Sequence, residues 1–356
     1  MALGVGVVLA RAERERRAAR ERTERERRFA RLAQERLGES LQRIALGQLD
    51  VAIEALAQGA SGDSQERRVH EARKALKRLR ALMRLLRDEL GEQVFERESA
   101  LLRDTGRELA QARDAAVLLS TLDRLIAREP AKLATRGGIV RLRARLRHER
   151  DGAAERALTA GTCGSEALAD LRAMRVRVST WQLSERDGIE TVELALERIY
   201  GKGRKRMRKA AKARGERNRT RAFHEWRKRV KDLRYAAEML DRSCAEGAEG
   251  KRRGKTAQRE FAKRIARRAD DLGELLGEEH DLAVLSERVR AEAKARRGPG
   301  TVGAKTRKLL LARIAKRRKK LRRRALRSGQ KLYERKPKRF VRRMRKAAAL
   351  RSLSRR

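Results

Sequence analysis

Residues 223–235 read FHEWRKRVKDLRY, and residues 69–81 read VHEARKALKRLRA. The two stretches align without a gap, His70 on His224. In the first, Val69, Ala72, Leu76, Leu79, Met83, Leu86 and Leu90 recur in steps of three and four. In the second, Phe223, Trp226, Val230, Leu233, Ala237 and Leu240 do the same. Such steps put the apolar side chains on one seam of an α-helix. The same register aligns the charges: His70, Arg73, Lys74, Lys77 and Arg80 fall on His224, Arg227, Lys228, Lys231 and Arg234. In the first copy the basic face continues to Arg84.

A second match supports duplication. RDAAVL at 113–118 matches HDLAVL at 280–285, one helix downstream of each histidine stretch. Two matches in the same order point to doubling of a whole bundle. Composition agrees with an all-α chain. Among 356 residues there are only three prolines, and Ala, Leu, Arg, Glu and Lys, all strong helix formers, dominate. Aromatic residues make up 3%, so the core must be largely aliphatic.

The formal net charge is +47, from 96 basic and 49 acidic residues. Self-repulsion of this size opposes compaction unless a counterion offsets it. A polyanion is the expected partner: DNA, RNA, an anionic membrane or a phosphate polymer. The two cysteines, Cys163 and Cys244, have neither disulfide-framework nor zinc-knuckle spacing, which fits a reducing cytoplasm. The opening MALGVGVVLA has no basic residues before it and runs directly into an Arg/Glu-rich stretch, unlike a secretory signal. No apolar run approaches the roughly 20 residues that span a bilayer.

Residues 11–31 alternate Arg and Glu and read as a solvated helix or a mobile basic arm. An apolar stripe starts at Leu37, and 58–65 closes it, with Asp63 as the N-cap of the next helix. Further helices are expected at about 65–90, 95–127, 139–158 and 165–181. A second set is expected at about 187–213, 220–242, 256–294 and 303–347. Glycine-rich loops at 244–255 and 296–305 separate members of that set. The expected organisation is a basic arm (1–34), a first bundle (35–182), a second bundle (183–347) and a basic tail (348–356). Short connections favour antiparallel neighbours in such bundles.

The stripe positions lie beside the apolar seam, so their side chains border the core. Rising about 1.5 Å per residue, they form a file of cations suited to a linear anion. Arg offers a planar fork to phosphate oxygens and Lys a point charge. A histidine among such cations is pushed toward its neutral form and can still donate one hydrogen bond to phosphate. The other readings for each histidine are a structural role, or metal binding and catalysis. The last finds no cluster with ligand spacing, and His148 stands apart. Asp114 and Asp281 are expected to orient arginines or tie helices together. The basic run 313–346 reads as an electrostatic surface, as a cationic wall of the last helix, or as both.

HEARKALKRLRA and HEWRKRVKDLRY resemble the paired histidine-helix signatures of the CHAD family, the conserved histidine α-helical domain. RDAAVL, HDLAVL and IYGKGRKRM (199–207) resemble its later motifs. The resemblance covers roughly residues 35–345. It implies two four-helix bundles related by pseudo-two-fold symmetry, with a basic groove or pore between them that binds inorganic polyphosphate. Association with polyphosphate granules is implied as well. Carried onto this chain, the site comprises the two stripes together with Lys202 and Arg204. Ala81 stands where the second copy has Tyr235, which departs from strict symmetry. The resemblance is to a standalone member, without the triphosphate-tunnel domain that some members carry.

The expectation is therefore a non-enzymatic, cytoplasmic polyphosphate-binding protein that needs no cofactor. The rival is a basic nucleic-acid-associated helical protein. The scarcity of aromatics argues against stacking on single strands, but backbone contacts to a duplex need only Lys and Arg.

Overall fold

The computed structural model describes residue 29 and residues 35–57, 63–109, 114–159, 163–184, 189–241, 261–295 and 302–349. Among these residues the fold is all-α. The helices are α1 (Leu37–Ala57), α2 (Asp63–Glu108), α3 (Asp114–Arg128), α4 (Pro130–Leu133), α5 (Gly137–Thr159) and α6 (Cys163–Ser179). After a 3₁₀ turn (Ile189–Val192) come α7 (Glu193–Lys212), α8 (Glu216–Met239), α9 (Phe261–Ala295), α10 (Ala304–Leu332) and α11 (Pro337–Ala349). None of the described helices is long and apolar enough to cross a membrane.

Two boundaries differ from the periodicity. The helix expected over 95–127 is two elements: α2 runs on to Glu108 and α3 starts afresh at Asp114. Apolar spacing alone does not register that break. The helix expected over 303–347 stops at Leu332 and resumes at Pro337. Proline lacks the N–H that would continue the ladder but suits the first position of a new helix. The expected gap near 90–95 is a kink: Gly91 has φ 75° and ψ 163°, a conformation open to a residue without Cβ.

Two apolar cores hold the helices. The larger joins α1, α2, α6, α7, α8, the first half of α9, the end of α10 and α11. Its seam residues are those read from the sequence: Leu76, Leu79 and Met83 on α2, and Trp226, Val230 and Leu233 on α8, are fully or almost fully buried. The smaller joins α3, α5, the second half of α9 and the first half of α10, through Leu122, Leu142, Leu146, Leu285, Leu310 and Leu321. Each core takes residues from both sides of the expected 182/183 boundary. Long α9 and α10 pass through both.

Polar contacts fix the ends. The Gln42 side-chain amide on α1 donates to the carbonyls of Val178 (2.9 Å), Ser179 and Trp181. It thereby satisfies acceptors that the end of α6 leaves open. Fully buried Glu98 accepts both arms of Arg177 at 2.7 and 2.8 Å, tying α2 to α6. Around α7, Tyr200 stacks on Phe340 with centroids 4.0 Å apart, and its hydroxyl donates to the Leu332 carbonyl. Two glycines permit the closest approaches. A Cβ at Gly203 would collide with the Tyr333 ring, and one at Gly329 with Trp226.

Candidate anion-binding site

The two repeated helices meet in space. α2 and α8 cross in opposite directions: Arg84 pairs with Asp232 at 3.2 Å, while Arg78 faces Tyr235 and Glu238. In the repeat alignment Arg84 corresponds to Glu238 and Arg78 to Asp232. The crossing therefore exchanges into itself, with arginine always on the first copy and carboxylate always on the second. Identical residues at these positions would set like charges against each other. Opposite charge is the physical reason that the copies differ here. Phe29, from the N-terminal stretch, lies against this crossing, edge-on to Tyr235 and under the Arg78 guanidinium, 4.2 Å from its ring centre.

Because the helices run oppositely, the stripes do not face each other along their length. His70 and His224 lie at far ends, and the stripes approach at Arg80 and Arg84. There α7 adds Lys202, and α8 adds Arg229, which shares Asp232 at 3.0 Å. Arg80 is held below the usual arginine range, by burial first and then by Arg84, with Arg103 and Arg229 adding to it. Arg84 is lowered by burial, with Asp232 opposing and Arg229 adding. Lys202 is lowered by burial and then by Arg229, Arg87, Arg198 and Arg84. Cations that depress one another in this way favour an added anion.

A second cluster lies toward the start of α8. His224 and His280, from α8 and α9, meet with Nδ1 atoms 3.2 Å apart. Burial holds His224 below its ordinary value, assisted by Lys228 and Arg227. His280 is pushed down to about 3, by burial and then by His224, Arg227, Lys231 and Arg318. Both rings are thus neutral at pH 7. One Nδ1–H donates to the other Nδ1, so the accepting ring must carry its proton on Nε2 and keeps that N–H as a donor. Among the described residues there is no group of three or more His, Cys, Asp or Glu side chains that could hold a metal ion.

Several sequence-derived site residues have internal partners. Arg73 donates to the Leu109 carbonyl at 2.5 Å, closing the end of α2. Lys74 pairs with Glu71 and Lys228 with Glu225, each within its own turn. Arg234 binds Glu238 at 2.6 Å and also Asp270, joining α8 to α9. Arg227 lies over Gly277. Lys77 and Lys231 are partly buried on the stripes, and His70 is exposed. Lys202 and Arg204 leave α7 on different sides. Arg204 donates to the Tyr333 carbonyl and lines an outer cleft of about 590 Å³ with Lys205, Arg208, Lys209, Lys212 and Pro337.

His280 and Arg229 belong to these clusters and escaped the sequence reading, and Arg318 entered it only within the basic run 313–346. His280 was visible only as the partner of Arg113 in the repeat, and pairing across two helices leaves no spacing signal. Arg113 and Cys244 lie outside the described residues, as do the side chains of Asp114 and Cys163. Asp281 pairs with Arg124 at 3.5 Å, joining α9 to α3. His148 is exposed on α5.

Comparison with known proteins agrees with this architecture. The family model described as the CHAD domain matches residues 43–259. A crystal structure of the CHAD domain from the plant Ricinus communis superposes with a TM-score of 0.56 at 20% identity, covering 86% of this chain and 94% of that one. PptA from Streptomyces chartreusis superposes with the same TM-score at 15% identity, covering 85% of this chain and 100% of that one. No curated relative matches the chain.

Proposed function

Since the chain belongs to the CHAD domain family, we propose that it binds inorganic polyphosphate, acting by binding rather than by turnover. The observation that carries this reading is the cation cluster where α2, α7 and α8 meet. Arg80 and Arg84 are partly buried and Lys202 stands exposed beside them; the charged form of each is disfavoured by desolvation and by neighbouring cations. A flexible chain with one negative charge per unit can follow a compact cluster of this kind more closely than the wide, regular rod of a DNA duplex. The carboxylates beside the clusters, Asp232, Glu279 and Glu216, are each engaged by arginine, which leaves them poor candidates for a catalytic base. Binding releases counterions and weakens with salt. By the same chemistry the protein partitions onto polyphosphate granules in the cell.

Competition tests the reading. At moderate salt and equal phosphate concentration, polyphosphate displaces labelled duplex DNA from the purified protein. Charge reversal at Lys77 and Lys231 lowers polyphosphate affinity by at least tenfold, the size of one or two charge-assisted contacts. Reversal of Arg355 and Arg356 has a much smaller effect. Tighter binding of DNA would establish the nucleic-acid reading instead, and equal effects of the two reversals would make the interaction diffuse.

A further inference from the structure

Glu216 and Thr220 precede His224 by two turns and one turn of α8, so they continue the face that carries His224, Arg227 and Lys231. Here α10 supplies the cations. Arg318 and Arg322, one turn apart, reach across to Glu216. Arg318 Nη1 donates to its Oε1 at 2.6 Å, and Arg322 Nη1 donates to its Oε2 at 2.8 Å. Arg322 Nη2 adds a bond to Oε1 at 2.9 Å, and Arg318 Nη2 donates to the Thr220 hydroxyl at 2.8 Å. From behind, one oxygen of Glu279 accepts from Arg318 Nε, Arg318 Nη2 and Arg322 Nε.

Burial divides this network. The side chains of Arg318, Arg322 and Glu279 are 5%, 11% and 2% exposed, while that of Glu216 is 50% exposed. Three groups are fixed in the protein and the fourth stands half in water. The fixed three carry one net positive charge, which Glu216 neutralises. An inner unit of a phosphate chain also carries one negative charge and two free oxygens on one centre, the pattern that a pair of arginine forks binds. The site adjoins the histidine pair, since Glu279 precedes His280 and Arg318 is among the cations acting on that ring.

We propose that Arg318 and Arg322 form a phosphate subsite at the end of the α8 stripe, closed in the free protein by the Glu216 carboxylate. A chain that follows the stripe past His224 must displace Glu216 to gain this contact, and a chain that stops short leaves it in place. Glu216 thus sets how far along α8 a phosphate chain is held. The inference rests on the polyphosphate reading.

The test uses the full chain and sodium polyphosphate long enough to cover the stripe, titrated at several salt concentrations. Glu216→Gln opens the subsite. Affinity rises roughly tenfold at low salt, the scale of a charge-assisted contact. The slope of log K against log salt steepens by about 0.7, one added phosphate on a single-stranded polyanion. Adding Arg322→Gln to Glu216→Gln abolishes both gains. Glu216→Asp, which keeps the charge but draws it back by one methylene, gives a smaller gain and provides the reading if Glu216→Gln does not fold. Unchanged or weaker binding with an unchanged slope overturns the inference while leaving the stripe intact. Failure of the wild-type protein to bind polyphosphate overturns both, and the wild-type titration alone reveals it.

Discussion

His280 and His224 illustrate how a neutral imidazole is built into a cationic surrounding. The pair needs one proton on one Nδ1, and charging both rings would set like charges at hydrogen-bond distance. Arg227, Lys231 and Arg318 add to the penalty at His280. The consequence for stability has a definite sign. Folded His280 titrates near 3 and the unfolded residue near 6.5. Below 6.5 the unfolded chain takes up a proton that the native ring refuses, so stability falls as pH drops. At about 1.4 kcal/mol per pH unit, the loss from pH 7 to pH 5 is about 2 kcal/mol. Most carboxylates stay ionised in that window, so urea unfolding across it reads the histidines, His224 adding a slope of the same sign. His280→Gln removes the His280 part of this slope relative to the wild type. Equal slopes in the two proteins would mean that the native ring accepts the proton, and that the neutral pair is not what the site maintains.

At the scale of the helix, the α2–α8 crossing carries two opposing demands. Packing the two copies together needs negative charge, while attracting a polyanion needs its absence. Asp232 serves the first demand, accepting from Arg84 and Arg229. Asp232→Asn leaves both arginines without that partner in a partly buried place, at a cost of about 2 kcal/mol. Arg84→Gln costs less, because Asp232 retains Arg229. The same Asp232→Asn exchange strengthens polyphosphate binding, because it adds a net positive charge where the stripes approach. Chemical unfolding and polyphosphate titration on the same samples check the two directions. If stability and affinity fall together, Asp232 orders the anion site rather than opposing it. The helices themselves were legible because a run of Leu, Val and Ala every three or four residues, free of proline, admits little else. The breaks near 109–113 and 333–336 were less legible. One falls in sequence without a strong breaker, and the other is marked by a single proline, Pro337. The crossing was not legible at all, because the pairing of Arg84 with Asp232 depends on the direction in which two distant helices meet.

At the scale of the molecule, the duplication in sequence did not translate into one core per half. α9 and α10 are long enough to enter both cores, so the first half is held in part by the second. Which apolar seams meet is decided by such lengths and by fits such as Gly329 against Trp226, neither of which hydrophobic spacing records. This shared packing must hold together a chain of net charge +47. Repulsion among exposed Arg and Lys is screened by salt, so thermal stability rises as sodium chloride increases from low concentration. Polyphosphate acts by a different route. On the proposed function it binds the folded clusters, where α2, α7, α8, α9 and α10 hold cations together, and it meets only scattered charge on an unfolded chain. Saturation at one hundred times Kd stabilises by about 2.7 kcal/mol if the unfolded chain binds nothing, and by less to the extent that it does. A melting experiment at fixed ionic strength separates the two routes. Polyphosphate at micromolar phosphate raises the midpoint by several degrees, and an equal charge concentration of sulfate does not. The double reversal at Lys77 and Lys231 loses most of the polyphosphate effect and keeps the sodium chloride effect. Loss of both together would place the stabilisation in the overall charge of the molecule rather than in the clusters that its crossing helices assemble.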